Sequence, residues 1–238
     1  MYQKADKPVD VHNFVDKKVD MLKFRGSYFD RCVLWAMMDE MSGTKTKDWS
    51  FNGNNGTLYG PTWTAAGKFH HCLNFDGIND YVDLGSGPNL KWTREITIEG
   101  WGNIDTPEDP SDVYIMVCRN NTDVSLDVYR RTISGTIGGN FISSAAAVVQ
   151  DTNWHHYAFT YSNLAKQAKL YYDGAVVATS NGVNWMAPNT GIYYIGHRNL
   201  AGAFWWDGKI DEVRIYKRIL TPDEIKKRYE IGRRPPFS

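Results

Sequence analysis

The sequence has no net charge, few cysteines and no long apolar run, and each shortage removes a class of protein. Lys and Arg number 27 and Asp and Glu also 27, so the long-range pull that draws a basic chain to nucleic acid or to an anionic membrane is missing. No stretch reaches the roughly 20 apolar residues that cross a bilayer. The start, Met1-Tyr2-Gln3-Lys4-Ala5-Asp6-Lys7-Pro8, lacks the apolar centre of a secretory signal. Nucleic-acid binding and membrane insertion are therefore not expected, and export through a cleaved signal is not expected either. Cys32, Cys72 and Cys118 are an odd, widely spaced set. They form neither a disulfide framework nor the paired spacing of a zinc site. Three buried free thiols are the expected state, with a single Cys32–Cys72 bond the alternative.

What the 238 residues do have is aromatic side chains, at 14% with nine Trp and 14 Tyr, together with 21 Gly. That composition favours strands joined by tight turns. From residue 32 onward the apolar period is two, in Leu73-Asn74-Phe75-Asp76, in Ile96-Thr97-Ile98-Glu99-Gly100-Trp101 and, less regularly, in Ile210-Asp211-Glu212-Val213-Arg214-Ile215-Tyr216. Further strands are expected over 157–161, 169–172 and 192–195. Turn pairs separate them, and Asp173-Gly174 between Leu170-Tyr171-Tyr172 and Ala175-Val176-Val177 is a strong hairpin signal. Many short strands with no helices between them predict an all-β, two-sheet antiparallel jelly-roll sandwich. One helix closes the chain, started by Thr221, Pro222 and Glu224 as a capping box. Residues 1–31 differ: Val11, Phe14, Val15, Val19 and Leu22 give a helix-like apolar stripe in a Lys- and Asp-rich arm. Three parts are thus expected, an arm over 1–31, a sandwich over 32–230 and a basic tail over 231–238.

Several runs resemble the laminin-G-like group of concanavalin-A-like jelly rolls. They are Leu34-Trp35-Ala36-Met37-Met38-Asp39, Asp48-Trp49-Ser50-Phe51-Asn52-Gly53-Asn54-Asn55-Gly56, Leu73-Asn74-Phe75-Asp76-Gly77, Ile98-Glu99-Gly100-Trp101, Trp154-His155-His156-Tyr157, Tyr171-Tyr172-Asp173-Gly174 and Gly208-Lys209-Ile210-Asp211-Glu212-Val213-Arg214. They fall in family order across about residues 32–230. The resemblance implies a concanavalin-A-like sandwich used mostly as a binding module, and fold alone does not fix function.

Glucanases of this broad fold carry an E-I-D-x-E type strand whose two carboxylates flank the scissile bond. The nearest match here, Lys209-Ile210-Asp211-Glu212-Val213-Arg214, loses both outer glutamates, and adjacent Asp211 and Glu212 face opposite sides of a strand. The chain is therefore read as non-catalytic. His155-His156 and His70-His71 are read as structural histidines. Asp48, Ser50, Asn52 and Asn54 place side-chain oxygens at alternate positions around Gly53, much like the start of a calcium loop. The loop lacks the acidic residue at position 12, so Asp211 on the last strand is the expected fifth ligand. The resemblance also implies a structural Ca²⁺ between an early loop and the last strand, while the metal-free alternative is a cluster of Asx turns. For glycans, stacking on exposed aromatic faces with polar side chains nearby is the expected mode. The candidates are Trp205, Trp206, Trp185 and Arg130, with Tyr129 beside the last.

The function expected is a structural or binding module on the surface of a larger assembly, most plausibly a virion, with residues 1–31 gripping neighbouring protein subunits. The alternative is a free-standing lectin or adhesin, extracellular and binding glycans directly.

Overall fold

A computed structural model describes residues 31–91, 94–107, 113–119, 123–184, 191–198 and 204–233. The chain divides into two units between Arg31 and Cys32, and the fold that follows belongs to the second. Residues 1–30 of the arm, Trp185 and residues 234–238 of the tail lie outside the described residues.

Among the described residues sixteen strands run in chain order: β1 Cys32–Ala36, β2 Lys45–Thr46, β3 Gly56–Tyr59, β4 Thr62–Thr64, β5 Cys72–Asp76, β6 Tyr81–Gly85, β7 Glu95–Ile104, β8 Val113–Arg119, β9 Val124–Tyr129, β10 Thr132–Ile137, β11 Asn140–Ser143, β12 His155–Ser162, β13 Gln167–Tyr172, β14 Ala175–Asn181, β15 Tyr193–Ile195 and β16 Asp207–Tyr216. One helix, α1 Pro222–Arg233, follows. The first sheet has the order β14-β13-β12-β7-β16-β5-β4 with β1 added on β16; the second runs β11-β10-β9-β8-β15-β6-β3-β2. Among the described residues the strands pair antiparallel, including β7 with β12 and β16 at the centre of the first sheet. This is the two-sheet antiparallel sandwich that the sequence predicts.

Alternation builds the layer between the sheets. Ile96 and Ile98 from β7, Phe159 from β12 and Leu170 from β13 meet Val117 from β8, Leu126 from β9 and Ile133 from β10 in one apolar core. Gly135 brings the sheets close, since a Cβ there would lie 3.0 Å from the Phe159 ring. The irregular period of the last strand has a local cause. Glu212 takes φ 56, and the β16–β7 register shifts between Asp211 and Arg214. That β-bulge lets Ile210, Val213 and Ile215 all reach the core.

The expected hairpin forms with Asp173 at φ 49 and Gly174 at φ 78, the backbone of a type I′ turn. The β9–β10 hairpin uses the same geometry with Arg130 at φ 51 and Arg131 at φ 66, a strained choice for two side-chain-bearing residues. At the start of α1, Glu224 N–H donates to Thr221 Oγ1 at 3.2 Å and Thr221 N–H to Glu224 Oε2 at 2.8 Å, closing the capping box. Cys32, Cys72 and Cys118 are free and buried, so no Cys32–Cys72 bond forms. Among the described residues no helix is long and apolar enough to cross a membrane.

Candidate functional site

On β9 the apolar side chains Val124, Leu126 and Val128 face the core, which turns Ser125 and Asp127 to the other face; on β10 Ser134 and Thr136 join them by register. An outward face of a sheet is ordinarily wet, yet Ser125, Asp127, Ser134 and Thr136 are all buried. Asp127 and Thr136 floor a cleft of about 310 Å³, with Ser125 and Ser134 hydrogen-bonded to Asp127. Its walls include Asp127, Thr136, Tyr129 and Phe141 from the sheet, and Arg198 and Phe204 from the segments that flank residues 199–203.

Asp127 is the centre of that floor. Its carboxylate accepts hydrogen bonds from Ser125 Oγ at 2.6 Å and from Ser134 Oγ. Burial pushes the carboxyl up to about 6, against the opposing pull of the Ser125 hydroxyl and the Arg198 guanidinium. Aromatic rings form the rim. Phe141 is 56% exposed and meets Tyr129 edge-on at 5.7 Å. The Arg130 guanidinium sits 5.1 Å from the Tyr129 ring, and Arg198 sits 5.6 Å from Phe204. Phe204 has φ 72, left-handed backbone that a bulky residue seldom takes. A polar floor with one acidic and one basic side chain under aromatic walls suits a small polyhydroxylated ring.

Beside the cleft lies an aromatic cluster on the same sheet. His197 and Trp205 form an isolated antiparallel bridge and stack face to face at 3.9 Å and 12°. Tyr81 on β6 meets His197, Trp205 and Tyr194 at 5.3, 6.3 and 5.9 Å. Tyr59 on β3 stacks on Tyr81 at 4.7 Å and 10°. Burial pulls the His197 imidazole down to about 4, so it is neutral at pH 7.

The ligand residues expected from sequence separate accordingly. Trp205 is half-buried in this cluster, and Arg130 stands on the hairpin turn at the cleft rim. Trp206 corrects the expectation: it is fully buried, donates from Nε1 to the carbonyls of Asn103 and Lys209, and packs edge-on against Tyr157. Two adjacent tryptophans flanking the start of β16 must point apart, and the larger apolar volume lies between the sheets. Trp185 lies outside the described residues.

The expected calcium set is also divided. Asp48 accepts from the backbone N–H groups of Trp35 and Ser50 through Oδ1 and of Asn54 through Oδ2, at 2.8–3.0 Å. Asn52 and Asn54 aim their amide nitrogens at the carbonyls of Cys32 and Val33, and Ser50 Oγ accepts from Asn52 Nδ2. Asp48, Asn52 and Asn54 thus tie β1 to the loop before β3, and both Asp48 oxygens are taken by backbone N–H groups. Asp211 faces a different loop. Its Oδ2 accepts from Phe69 N–H at 3.2 Å, while Asp39 Oδ1 accepts from His71 N–H at 3.0 Å in the same segment. Burial first, and then the charges of Glu212 and Asp39, push the Asp211 carboxyl well up. Its Oδ1 is buried without a hydrogen-bond partner. Among the described residues no group of three or more His, Cys, Asp or Glu side chains is arranged to hold a metal.

The remaining charged residues are used structurally. Glu212 accepts from Trp35 Nε1 at 2.8 Å and pairs with Arg214. Because the bulge returns Val213 to the core as the next core residue after Ile210, Asp211 and Glu212 both turn away from the core, which corrects the expectation that they face opposite sides. Glu99, fully buried on β7, lies 3.2 Å from Arg228 of α1, 3.5 Å from His156 and 3.8 Å from Arg214. Burial raises its carboxyl, but Arg228, His156 and Arg214 outweigh burial and hold it at about 2. His155 points away from His156 and bridges Asp151 and Asp173 at 2.9 Å each.

The cleft was missed in the sequence because Asp127 and Arg198 lie 71 positions apart and β9 and β10 carry small polar residues. The signal that was present is the alternation Val124-Ser125-Leu126-Asp127-Val128, whose polar half marks a second face.

Residues 76–226, more than half of the chain, match the sequence profile described as the Concanavalin A-like lectin/glucanases superfamily. Among solved structures, domain 4 of AbnA, a GH43 extracellular arabinanase from Geobacillus stearothermophilus in complex with arabinotriose, superposes with a TM-score of 0.64. It is 15% identical over 83% of this chain and 97% of that one. The binding domain of Paraclostridial Mosquitocidal Protein 1 gives 0.66 at 16% identity over 84% and 52%. The botulinum neurotoxin serotype D ligand binding domain in complex with N-acetylneuraminic acid gives 0.67 at 14% identity over 86% and 52%. The chain thus spans about half the length of these two toxin domains. At such identities the likeness is one of fold. No curated protein matches the sequence.

Proposed function

The chain belongs to the concanavalin A-like lectin/glucanase superfamily, and from that premise we propose that it is a non-catalytic glycan-binding module. The observation that carries the reading is Asp127, a buried carboxylate held by two serine hydroxyls at the base of an aromatic-rimmed cleft. In this reading the Asp127 carboxylate accepts from sugar hydroxyls and Arg198 donates to ring or hydroxyl oxygens. Tyr129 and Phe141 cover the apolar C–H face of the ring, which removes it from water. Domain 4 of the arabinanase, aligned over nearly its whole length, carries a trisaccharide, and this supports the substrate class.

The carboxylate count at the cleft supports binding without hydrolysis. Glycoside cleavage uses two carboxyl groups roughly 5–9 Å apart across the scissile bond, whereas Asp127 is the one acidic side chain lining this cleft among the described residues. Asp211 and Glu212 lie on the other sheet, Asp211 held by Phe69 N–H and Glu212 by Trp35 and Arg214. The test is an array of neutral and acidic oligosaccharides followed by calorimetry on Asp127→Ala and Phe141→Ala. Binding by the wild type that falls at least tenfold in both variants supports the reading. Wild-type silence across the array, unchanged affinity in the variants or product release from any saccharide refutes it.

The structural calcium proposed for this family resemblance fits Asp39 and Asp211 better than the Asp48 loop. Two carboxylates brought to one segment, one with an unpartnered buried oxygen, are the groups a hard cation would relieve. Attachment to a larger assembly through residues 1–31 is carried by the sequence of that arm. Deleting those residues and measuring native mass tests it, since an unchanged mass removes the role.

A further inference from the structure

The cleft floored by Asp127 ends at the segments around His197 and Trp205, and the second sheet continues beyond them through β15, β6 and β3. Arg198 and Phe204 line the cleft, while their neighbours His197 and Trp205 stack with Tyr81 on the far side. One short bridged pair therefore stands between a polar pocket and an aromatic step. We propose that Tyr59, Tyr81 and Trp205 form a second sugar subsite, so that the protein binds a neutral oligosaccharide lying across the strands rather than a single sugar. This rests on the glycan reading of the cleft and adds to it the length and charge class of the ligand.

Three observations support the assignment. The first is exposure combined with fixed orientation. Tyr59 is 48% exposed although it is stacked on Tyr81, and Trp205 is half-buried with one face covered by His197. Rings locked by their neighbours lose little freedom on binding, which favours a stacking platform.

The second is charge. The rings are uncharged, His197 is neutral, and Asp83 stands on the same face of β6, opposite Thr57 and Tyr194. Asp83 Oδ1 accepts from Gly85 N–H at 2.7 Å and remains an acidic neighbour. Lys45 on β2 lies opposite Thr57 on the same face and balances Asp83, so this part of the face carries no net charge and suits a neutral sugar.

The third is spacing. Asp127 on β9 and Tyr81 on β6 are separated by β8 and β15. Three strand intervals span about 14 Å, more than one sugar ring covers. A ligand filling both places must be a chain of sugars running roughly perpendicular to the strands.

The experiment is calorimetry with size series, from monosaccharide to hexasaccharide, of arabinan, xylan, glucan, mannan and galactan fragments. It compares the wild type with Tyr59→Ala, Trp205→Ala and Phe141→Ala, each checked for folding by circular dichroism. The expected result is wild-type affinity that rises up to at least the trisaccharide of one series. Tyr59→Ala and Trp205→Ala should reduce trisaccharide and longer binding about tenfold, the effect of one lost stacking contact near 1.4 kcal/mol. Both should leave mono- and disaccharide affinity unchanged. Phe141→Ala should weaken every length.

Affinity that stays flat with length overturns the second subsite while leaving the cleft reading standing, and so does a Tyr59→Ala protein that binds every length as the wild type does. If Trp205→Ala is misfolded, Tyr59→Ala alone decides, because Tyr59 is exposed at the end of β3. Preference for an acidic series overturns the charge argument. No binding of any length by the wild type overturns both readings together.

Discussion

Replacing Asp127 by asparagine keeps the shape of the side chain and removes the charge that the cleft floor holds out of water. The folded protein pushes the Asp127 carboxyl from 3.8 up to about 6. Between those values the native state holds a proton that the unfolded state has lost. Stability contributed at low pH therefore declines as pH rises from about 4 and is fully lost above about 6. Two pH units correspond to about 3 kcal/mol for this buried group. An asparagine does not ionise and escapes the decline, but it presents one acceptor oxygen where the carboxylate had two. Either Ser125 or Ser134 must then turn to accept from the amide, at a loss of about 1 kcal/mol. Asp127→Asn should thus be about 1 kcal/mol less stable than the wild type below pH 4 and about 2 kcal/mol more stable at pH 7.5. For a domain of this size that is a gain of roughly 4–8 °C in Tm. Differential scanning calorimetry from pH 4 to 8 on both proteins reads it as a difference curve, in which groups away from the cleft cancel. Parallel melting profiles across that range would refute the claim that Asp127 is buried at a penalty. A more stable Asp127→Asn protein that also loses glycan affinity would identify the penalty as one retained for binding.

The other expectations concern separate parts of the sandwich. Arg130-Arg131→Asn-Gly places residues suited to left-handed backbone on the β9–β10 turn and should raise the urea midpoint by the equivalent of about 1–2 kcal/mol; an unchanged midpoint would mean the turn is not strained. Glu99→Gln removes the buried carboxylate that Arg228 faces at 3.2 Å and that Arg214 shares with Glu212, and should destabilise by about 3 kcal/mol in equilibrium unfolding. Because Glu99 is held at about 2 when folded, its contribution is present above about pH 4.5 and lost as pH falls toward 2, a slope that Glu99→Gln should lack in acid titration. Calcium should raise Tm and EDTA lower it; Asp211→Asn should remove this response and Asp48→Ala should keep it while lowering Tm in both conditions, and the opposite pattern would return the ion to the Asp48 loop.

The architecture was legible because a strand's period is a property of the chain itself. Ile96-Thr97-Ile98 and Tyr157-Ala158-Phe159-Thr160-Tyr161 announce which residues go inward, and Thr221-Pro222-Asp223-Glu224 carries its own hydrogen-bonding instructions. The site was legible only in fragments. Trp205 and Trp206 are chemically identical neighbours, and their fates differ because one lies over β6 and the other between the sheets, a fact about topology. The Asp48 loop shows the same limit from another side. Alternate oxygens around a glycine serve a cation or a set of backbone N–H groups equally well, and here Trp35, Ser50 and Asn54 supply the N–H groups. Asp127 was hidden for a third reason, since a polar residue on the outer side of a strand ordinarily signals solvent, and only the covering side chains Arg198 and Phe204 make it a floor.

The helix α1 seals one side of the sandwich: Tyr229 stacks on Trp101 and Arg228 reaches Glu99 beneath it. On the glycan reading proposed above, the module is in consequence a one-sided receptor. Coupling through the thiol of an Ile231→Cys variant, exposed where Cys32, Cys72 and Cys118 are buried, would orient every copy on a bead or scaffold with the Asp127 cleft outward. A dense, oriented coating of weak single sites then gains avidity for a polymeric sugar in proportion to how many copies one chain can reach.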